Sequence, residues 1–271
     1  MTPAATALAG RRVLITRGED DSAEWAERIA RYGAEPVLLP CIRCELIDGP
    51  ELRATVVAAL ADADWLVFTS RRGVEAFASL REGPRPALAQ RTKVAVVGAA
   101  TAEAARAHLG RADLVGAGTA AELGALLAAT LEAESDETAR SLGANSAMCM
   151  APLPSHVVLA VAANAGPALE RALIGAHARC TRLDVYRTIP AAPAARKRAL
   201  SALGADNVML ASPSAVSGFV GQVDVDAPVS IYTIGPSTTA AARAEGLAVT
   251  AEAREPSLEG LVEAMQWPIR R

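Results

Sequence analysis

Short apolar runs rich in β-branched residues recur along the chain, at Val13–Thr16, Val37–Leu39, Trp65–Thr69 and Val94–Val97. They are too short for helices and carry few alternating polar residues. That pattern predicts strands buried on both faces. Between them lie stretches rich in Ala, Glu and Arg with apolar residues at helical spacing, such as Ala23–Tyr32 and Ala102–Leu109. Regular alternation of strand and helix predicts α/β architecture, with parallel sheets flanked by helices.

The alternation repeats. "WLVFTSRRGVEAF" at residues 65–77 returns as "NVMLASPSAVSGF" at 207–219, with Ser70, Val74 and Phe77 each 142 positions before Ser212, Val216 and Phe219. "KVAVVGAATAEAARAHLG" returns as "VSIYTIGPSTTAAARAEG", which pairs Gly98 with Gly235 and Thr101 with Thr238. A fainter pair matches "RRVLITRGEDDSAEW" to "HVVLAVAANAGPALE". An internal duplication of about 140 residues per half fits two domains of ordinary size. Two segments fall outside the repeat. Residues 131–155 read as a loop or frayed helix, and 189–195, "IPAAPAA", as an extended linker, because each proline disfavours helix before it.

Helix starts carry recognisable chemistry. Ser70 and Ser212 end a strand just before a helix, and Pro213 falls at the favoured first helical position. Thr119 and Glu122 form a capping box. Gly98 and Gly235 are expected to let the chain turn tightly ahead of Thr101 and Thr238. Each junction lies at the carboxyl end of a parallel strand. There, helix N-termini present unsatisfied N–H groups, and ligands bind open α/β sheets. Ser70, Thr101, Ser212, Ser214, Ser237 and Thr238 would line a cleft between two domains and hold carboxylates with few lysines. Taken singly, each is equally a plain cap.

Net charge is −3, so no global field favours nucleic acid or an acidic membrane. Phe, Trp and Tyr number three each, too few for an aromatic recognition surface. No run approaches a membrane-spanning length, and "MTPAATALAG" shows no signal peptide. A cytoplasmic location is expected. Cys41 and Cys44 form a lone C-x-x-C that reads as reduced thiols, with redox or metal chemistry the lesser alternative. Gly116-x-Gly118-x-x-Ala121 is a weak dinucleotide fingerprint without an acidic partner. A Ser-His-Asp triad is unsupported, because the histidines read as helix or loop residues away from the serine motifs. Arg17, Arg71, Arg72 and Arg187 lie at expected strand ends and could pair with carboxylates. Tyr186, in "LDVYRTIP", ends a strand at the linker. Its phenol could donate a proton, although hinge packing explains its position as simply.

"FTSRRGVEAF", "VVGAATAEA", "GTAAELGALL", "VYRTIP", "LASPSAVSGF", "IGPSTTAAARAEGL" and "EPSLEGLVEAM" occur in the order found in uroporphyrinogen-III synthases, and the resemblance runs from Arg12 to about Met265. It implies two Rossmann-like domains joined by two extended linkers, residues 1–40 plus 187–271 and residues 43–184. The domains would open and close around the substrate. It implies a lyase of tetrapyrrole (haem) biosynthesis that cyclises hydroxymethylbilane, a linear tetrapyrrole, with loss of water and inversion of the last pyrrole ring. It further implies no metal or cofactor, no nucleic-acid or membrane partner, and action as a monomer. Tyr186 would assist departure of the hydroxyl. Thr16, Arg17, Ser70, Thr101, Asn164, Ser212, Ser214, Ser237 and Thr238 would contact substrate. The turn "AANAGPALE" departs from the family pattern: it keeps Asn164 but has no basic residue. A non-catalytic tetrapyrrole-binding module on the same fold is the alternative, and a periplasmic-type binding protein is disfavoured by the absent signal peptide.

Overall fold

The computed structural model describes residues 6–80, 88, 91–141 and 154–266. Along the chain it runs β1 (Arg12–Ile15), α1 (Glu19–Arg31), β2 (Glu35–Leu38), β3 (Ile42–Leu46), α2 (Pro50–Leu60), β4 (Trp65–Phe68) and α3 (Arg71–Ser79). Then come β5 (Lys93–Val96), α4 (Ala99–Leu109), β6 (Leu114–Val115), α5 (Ala120–Ser141), β7 (His156–Ala162), α6 (Ala168–Gly175) and β8 (Arg179–Pro190). The last third holds β9 (Arg198–Ala199), α7 (Leu200–Leu203), β10 (Asn207–Leu210), α8 (Pro213–Gln222) and β11 (Val223–Asp224). It ends with β12 (Ser230–Thr233), α9 (Pro236–Ala244), β13 (Val249–Glu252) and α10 (Leu258–Gln266).

The chain divides into two compact units. Unit 1 comprises Met1–Cys44 and Thr188–Arg271; unit 2 is Glu45–Arg187. Unit 1 carries a five-stranded sheet in the order β13-β12-β10-β1-β2, and every pairing is parallel. Unit 2 is built on the six-stranded sheet β3-β8-β7-β4-β5-β6, parallel from β8 to β6. Taken in chain order, the strands of unit 1 occupy their sheet as second-first-third-fourth-fifth. Unit 2 shows the same arrangement if its chain is read from β7: β7, β8, β4, β5, β6. The sequence repeat is therefore a repeat of topology with the starting strand moved. It matches β4 to β10, β5 to β12 and β7 to β1.

Strand alternation builds a core on each face. In unit 1, Val13, Ile15, Met209 and Tyr232 pack with Trp25 and Ile29 of α1 and with Leu261, Val262 and Met265 of α10. Leu14, Val208, Leu210 and Ile231 point the other way, onto Val216 and Phe219 of α8 and Ala242 of α9. In unit 2, Trp65, Val67, Val157 and Leu159 meet Leu123, Leu127 and Leu131 of α5 and Leu169 and Leu173 of α6. On its opposite face Phe77 of α3 stands edge-on to Phe68, ring centroids 5.5 Å apart. The duplicated Val74/Phe77 and Val216/Phe219 are all fully buried. Their spacing of three residues places each pair on one helical stripe.

Two sequence expectations change and a third is refined. Residues 131–141 continue α5, because Leu123, Leu127 and Leu131 keep one buried stripe at spacing four. Glu134 then ties the helix to Lys93 (2.6 Å) and to the Trp65 indole (3.4 Å); residues 142–153 lie outside the described residues. The 189–195 segment is extended but not free-running. β8 reaches Pro190, and Ala191 N–H donates to the Cys41 carbonyl (2.8 Å). β3 and β8 are neighbours that run antiparallel: Cys44 lies against Thr188, Glu45 pairs with Arg187, and Ile47 N–H donates to Val185 O. Lastly, Gly98 and Gly235 have extended backbone (φ −175° and 173°), so no turn demands glycine there.

Gly218, inside the repeated motif, is required for a different reason. A Cβ there would lie 1.8 Å from the Cys41 carbonyl oxygen, whereas one at Gly235 would meet nothing within 4 Å. Gly218→Ala should destabilise the protein by about 1–3 kcal/mol through overpacking, and Gly235→Ala by less than about 1 kcal/mol. Urea unfolding of the two variants checks this; equal stabilities would contradict the packing account.

Candidate active site

Each helix that directly follows one of the parallel strands begins at the strands' carboxyl ends, so each unit has a rim lined with helix N-termini; α2, after the antiparallel strand β3, is outside this rule. In each unit the connections diverge from one pair of neighbouring strands, β1 and β10 in unit 1, β7 and β4 in unit 2. Such switch points are where open α/β sheets bind ligands.

In unit 2 the switch point gathers Ser70 after β4, Asn164 after β7 and Tyr186 near the end of β8. Ser70 caps α3, its Oγ accepting the Gly73 N–H at 3.0 Å. Tyr186 crosses the end of β7 to meet it: the two hydroxyl oxygens are 2.8 Å apart. A register shift makes this reach possible. Val161 pairs with Asp184, yet the next residue, Ala162, pairs with Tyr186, so β8 carries one extra residue. A bulge of this kind re-aims the following side chain. Val185 and Tyr186 are both buried there. Ala163 N–H donates to the Tyr186 carbonyl (2.8 Å) and fixes the backbone.

Asn164 is exposed at the tip of the β7–α6 turn. Although the turn has no basic residue of its own, Arg182 from β8 supplies one. Its Nη2 donates to the carbonyls of Ala162 (3.0 Å), Ala163 (3.2 Å) and Ala165 (3.2 Å), while Nε donates to Asp184 (2.8 Å). Sequence reading missed Arg182; the available signal was a charge within the apolar run "CTRLDVY". Thr101, in the first turn of α4, is buried. Arg187 forks onto Glu45 with both contacts near 3 Å.

In unit 1, Ser212 caps α8 by accepting the Ala215 N–H (3.1 Å), and Ser214 stands half-buried in the same first turn. Ser237 is exposed in the first turn of α9, whereas its neighbour Thr238 is buried. Thr16 is also fully buried, and its hydroxyl donates to the Met209 carbonyl (2.7 Å), tying β1 to β10. Arg17 lies over the Trp25 ring, 4.5 Å from its centroid, and pairs with Asp21 (3.3 Å). Its side chain remains 29% exposed, so an anion can approach it. Beside this rim, Thr239 donates to Glu252 (2.5 Å) and lies 2.6 Å from the Thr233 hydroxyl.

The other candidates resolve on geometry. Cys41 and Cys44 sit three residues apart on extended chain. Their Cα atoms are therefore roughly 10 Å apart with side chains on opposite faces, beyond the ~7 Å a disulfide spans. Cys41 is buried, and desolvation pushes its thiol up to about 12. Among the described residues no group of three His, Cys, Asp or Glu side chains could hold a metal ion. The Gly116–Ala121 stretch follows β6, which lies at the sheet edge and away from the switch point. The Thr119–Glu122 capping box forms, with Glu122 N–H on Thr119 Oγ1 (3.2 Å) and Thr119 N–H on Glu122 (3.1 Å).

His156 departs from expectation, since it begins a strand, β7. It does sit in a hydroxyl–imidazole–carboxylate row, with Nε2 2.8 Å from Thr181 Oγ1 and Nδ1 2.8 Å from Asp62. The row occupies the amino-terminal end of the sheet, away from the rim, and His156 is almost fully buried. It is a clamp. Desolvation raises the Asp62 carboxyl, but hydrogen bonds from His156 and Arg179 outweigh it and hold the group below its ordinary value.

A family model described as Uroporphyrinogen-III synthase HemD matches residues 23–263. A uroporphyrinogen-III synthase of rice chloroplasts (Oryza sativa subsp. japonica) is 27% identical over 266 residues, covering 95% of this chain and 80% of the relative. A porphyrin biosynthesis protein HemD from Ruminiclostridium josui is 30% identical over 99 residues, which cover 36% of this chain and only 20% of that protein. The crystal structure of uroporphyrinogen-III synthetase from Helicobacter pylori 26695 superposes with a TM-score of 0.57 at 16% identity, covering 93% of this chain and 97% of the other. That likeness concerns the fold.

The Asp62 clamp yields a pH dependence. A carboxyl depressed in the folded state adds stability above its unfolded value and loses it as pH falls through the folded value. The stability gap between wild type and Asp62→Asn should therefore be full near neutral pH and close below the ordinary value of 3.8. Thermal unfolding across that range measures it; a gap that persists in acid would contradict the clamp.

Proposed function

The chain belongs to the uroporphyrinogen-III synthase family, and from that premise we propose that it cyclises hydroxymethylbilane to uroporphyrinogen III. The reaction expels the terminal hydroxyl as water, inverts the last pyrrole ring through a spiro intermediate and closes the macrocycle. A catalyst must grip several carboxylates, protonate a leaving hydroxyl and keep water from the resulting cation. The observation that carries the reading is the Tyr186 phenol, nine-tenths buried and hydrogen-bonded at the switch point of its sheet. A phenol there is suited to general-acid assistance, and its burial limits solvent access to the cation.

Roles follow exposure. Ser212, Ser214 and Ser237, with the helix N–H groups beside them, take acidic arms on the unit 1 rim. Arg17, held flat by Trp25, offers a planar fork to a carboxylate. Asn164 does the corresponding work in unit 2, on a turn that Arg182 stiffens. Thr16, Thr101 and Thr238 are buried and act by fixing the rim. Holding a flexible chain with its ends in reactive register lowers the entropic part of the barrier. No described helix is long and apolar enough to cross a membrane. A cytoplasmic monomer working without a cofactor agrees with the reading.

Purified protein given enzymatically generated hydroxymethylbilane should form the type III isomer. Type I macrocycle alone, where a control synthase yields type III, would overturn the assignment. Tyr186→Phe should lower kcat about a hundredfold or more while leaving the unfolding midpoint near that of wild type. Unchanged turnover would reduce the phenol to a packing group.

A further inference from the structure

Ser70 and Ser212 form an internal comparison. Each follows a buried strand, and their backbones are nearly the same (φ −163°, ψ 157° and φ −168°, ψ 161°). Each accepts the N–H three residues on, at 3.0 and 3.1 Å. Capping is thus satisfied in both by one lone pair of the serine oxygen. Ser70 has a further bond that capping does not require, the 2.8 Å contact with the Tyr186 hydroxyl. The bulge in β8 aims the ring at it.

We propose that Ser70 is the positioning residue of the dehydration step, its hydroxyl donating to the Tyr186 oxygen and coupling that oxygen to the N-terminus of α3. The inference rests on the synthase reading and replaces a substrate contact by a contact with the acid. The Gly73 N–H occupies one lone pair of the Ser70 oxygen and leaves its proton available for the phenol oxygen, 2.8 Å away. Tyr186 gives its proton to the departing hydroxyl. The C–O bond breaks with its electron pair going to oxygen, water forms, and the substrate carbon becomes an azafulvenium cation supported by the pyrrole nitrogen. The phenolate left behind accepts the Ser70 O–H, with the partial positive charge of the helix terminus behind it. A hydrogen bond to an ionised acceptor is stronger than one to a neutral phenol, so the contact tightens as charge develops. The proton released from the pyrrole carbon when the ring closes restores the phenol. The balance is loss of one water, with no co-reactant.

The test separates the cap from the hydroxyl donor. Aspartate caps helices as well as serine does but cannot donate, and threonine does both. Ser70→Asp should keep the unfolding midpoint, lower kcat about ten- to hundredfold at unchanged KM, and move the alkaline limb of the kcat–pH profile upward. Ser70→Thr should restore most of the rate. In a Tyr186→Phe background, Ser70→Asp should cost less than about twofold more, whereas Ser212→Ala should keep whatever effect it has alone. Wild-type kcat in Ser70→Asp, or an undiminished loss in the Tyr186→Phe background, overturns the proposal. Product isomer from the unmodified enzyme judges the synthase reading separately.

Discussion

Parallel strand pairing is the constraint from which the rest of the molecule follows. Two parallel neighbours cannot be joined by a tight turn, so the chain returns through a helix. The helix starts where the strand ended, which places every such N-terminus on one rim. Strands buried on both faces leave polar groups nowhere else to gather. In both units the rim carries the serines, threonines and N–H groups, while the amino-terminal ends carry structural clamps such as His156–Asp62–Thr181. The chemistry of the site is thus positioned before any particular substrate is considered.

Within that plan unit 2 adds the edge strand β3 and carries an irregular β8. The extra residue in β8 breaks the alternation and brings a phenol onto the helix cap. Arg182 and Asp184, four and two residues before Tyr186 on the same strand, hold the adjoining turn. One irregular strand therefore gathers a buried phenol, its hydroxyl partner and a stiffened turn. Unit 1, where β2 stands in the corresponding place, has no such irregularity between β1 and β2. The repeat gives two similar rims, and the extra residue of β8 sets Tyr186 on one of them.

Features set by neighbours in sequence were legible without coordinates. Ser70, Ser212 and Thr119 are caps because a cap and its N–H partner lie three residues apart. The Val74/Phe77 and Val216/Phe219 stripes are read from helical spacing. What was hidden depends on distant pairing. Thr16 looks like a rim hydroxyl until β10 arrives to accept its proton at Met209. The turn at Asn164 lacks a basic residue until β8 lays Arg182 across it. Gly98 and Gly235 looked like turn glycines, yet their extended angles show the turn is made elsewhere. Gly218 is held to its size by the Cys41 carbonyl, a neighbour that only the fold brings to it.

The discontinuity of unit 1 sets an order of events during synthesis. All of unit 2 lies between β2 and β10 in the chain, so a nascent polypeptide holds the whole of Glu45–Arg187 before Asn207 exists to pair with Val13. The first two strands must wait, half-sheeted, from Leu38 until Asn207 has been made. Contacts that span such separations close slowly. The ribosome thus delivers all of unit 2 while unit 1 still lacks three of its five strands.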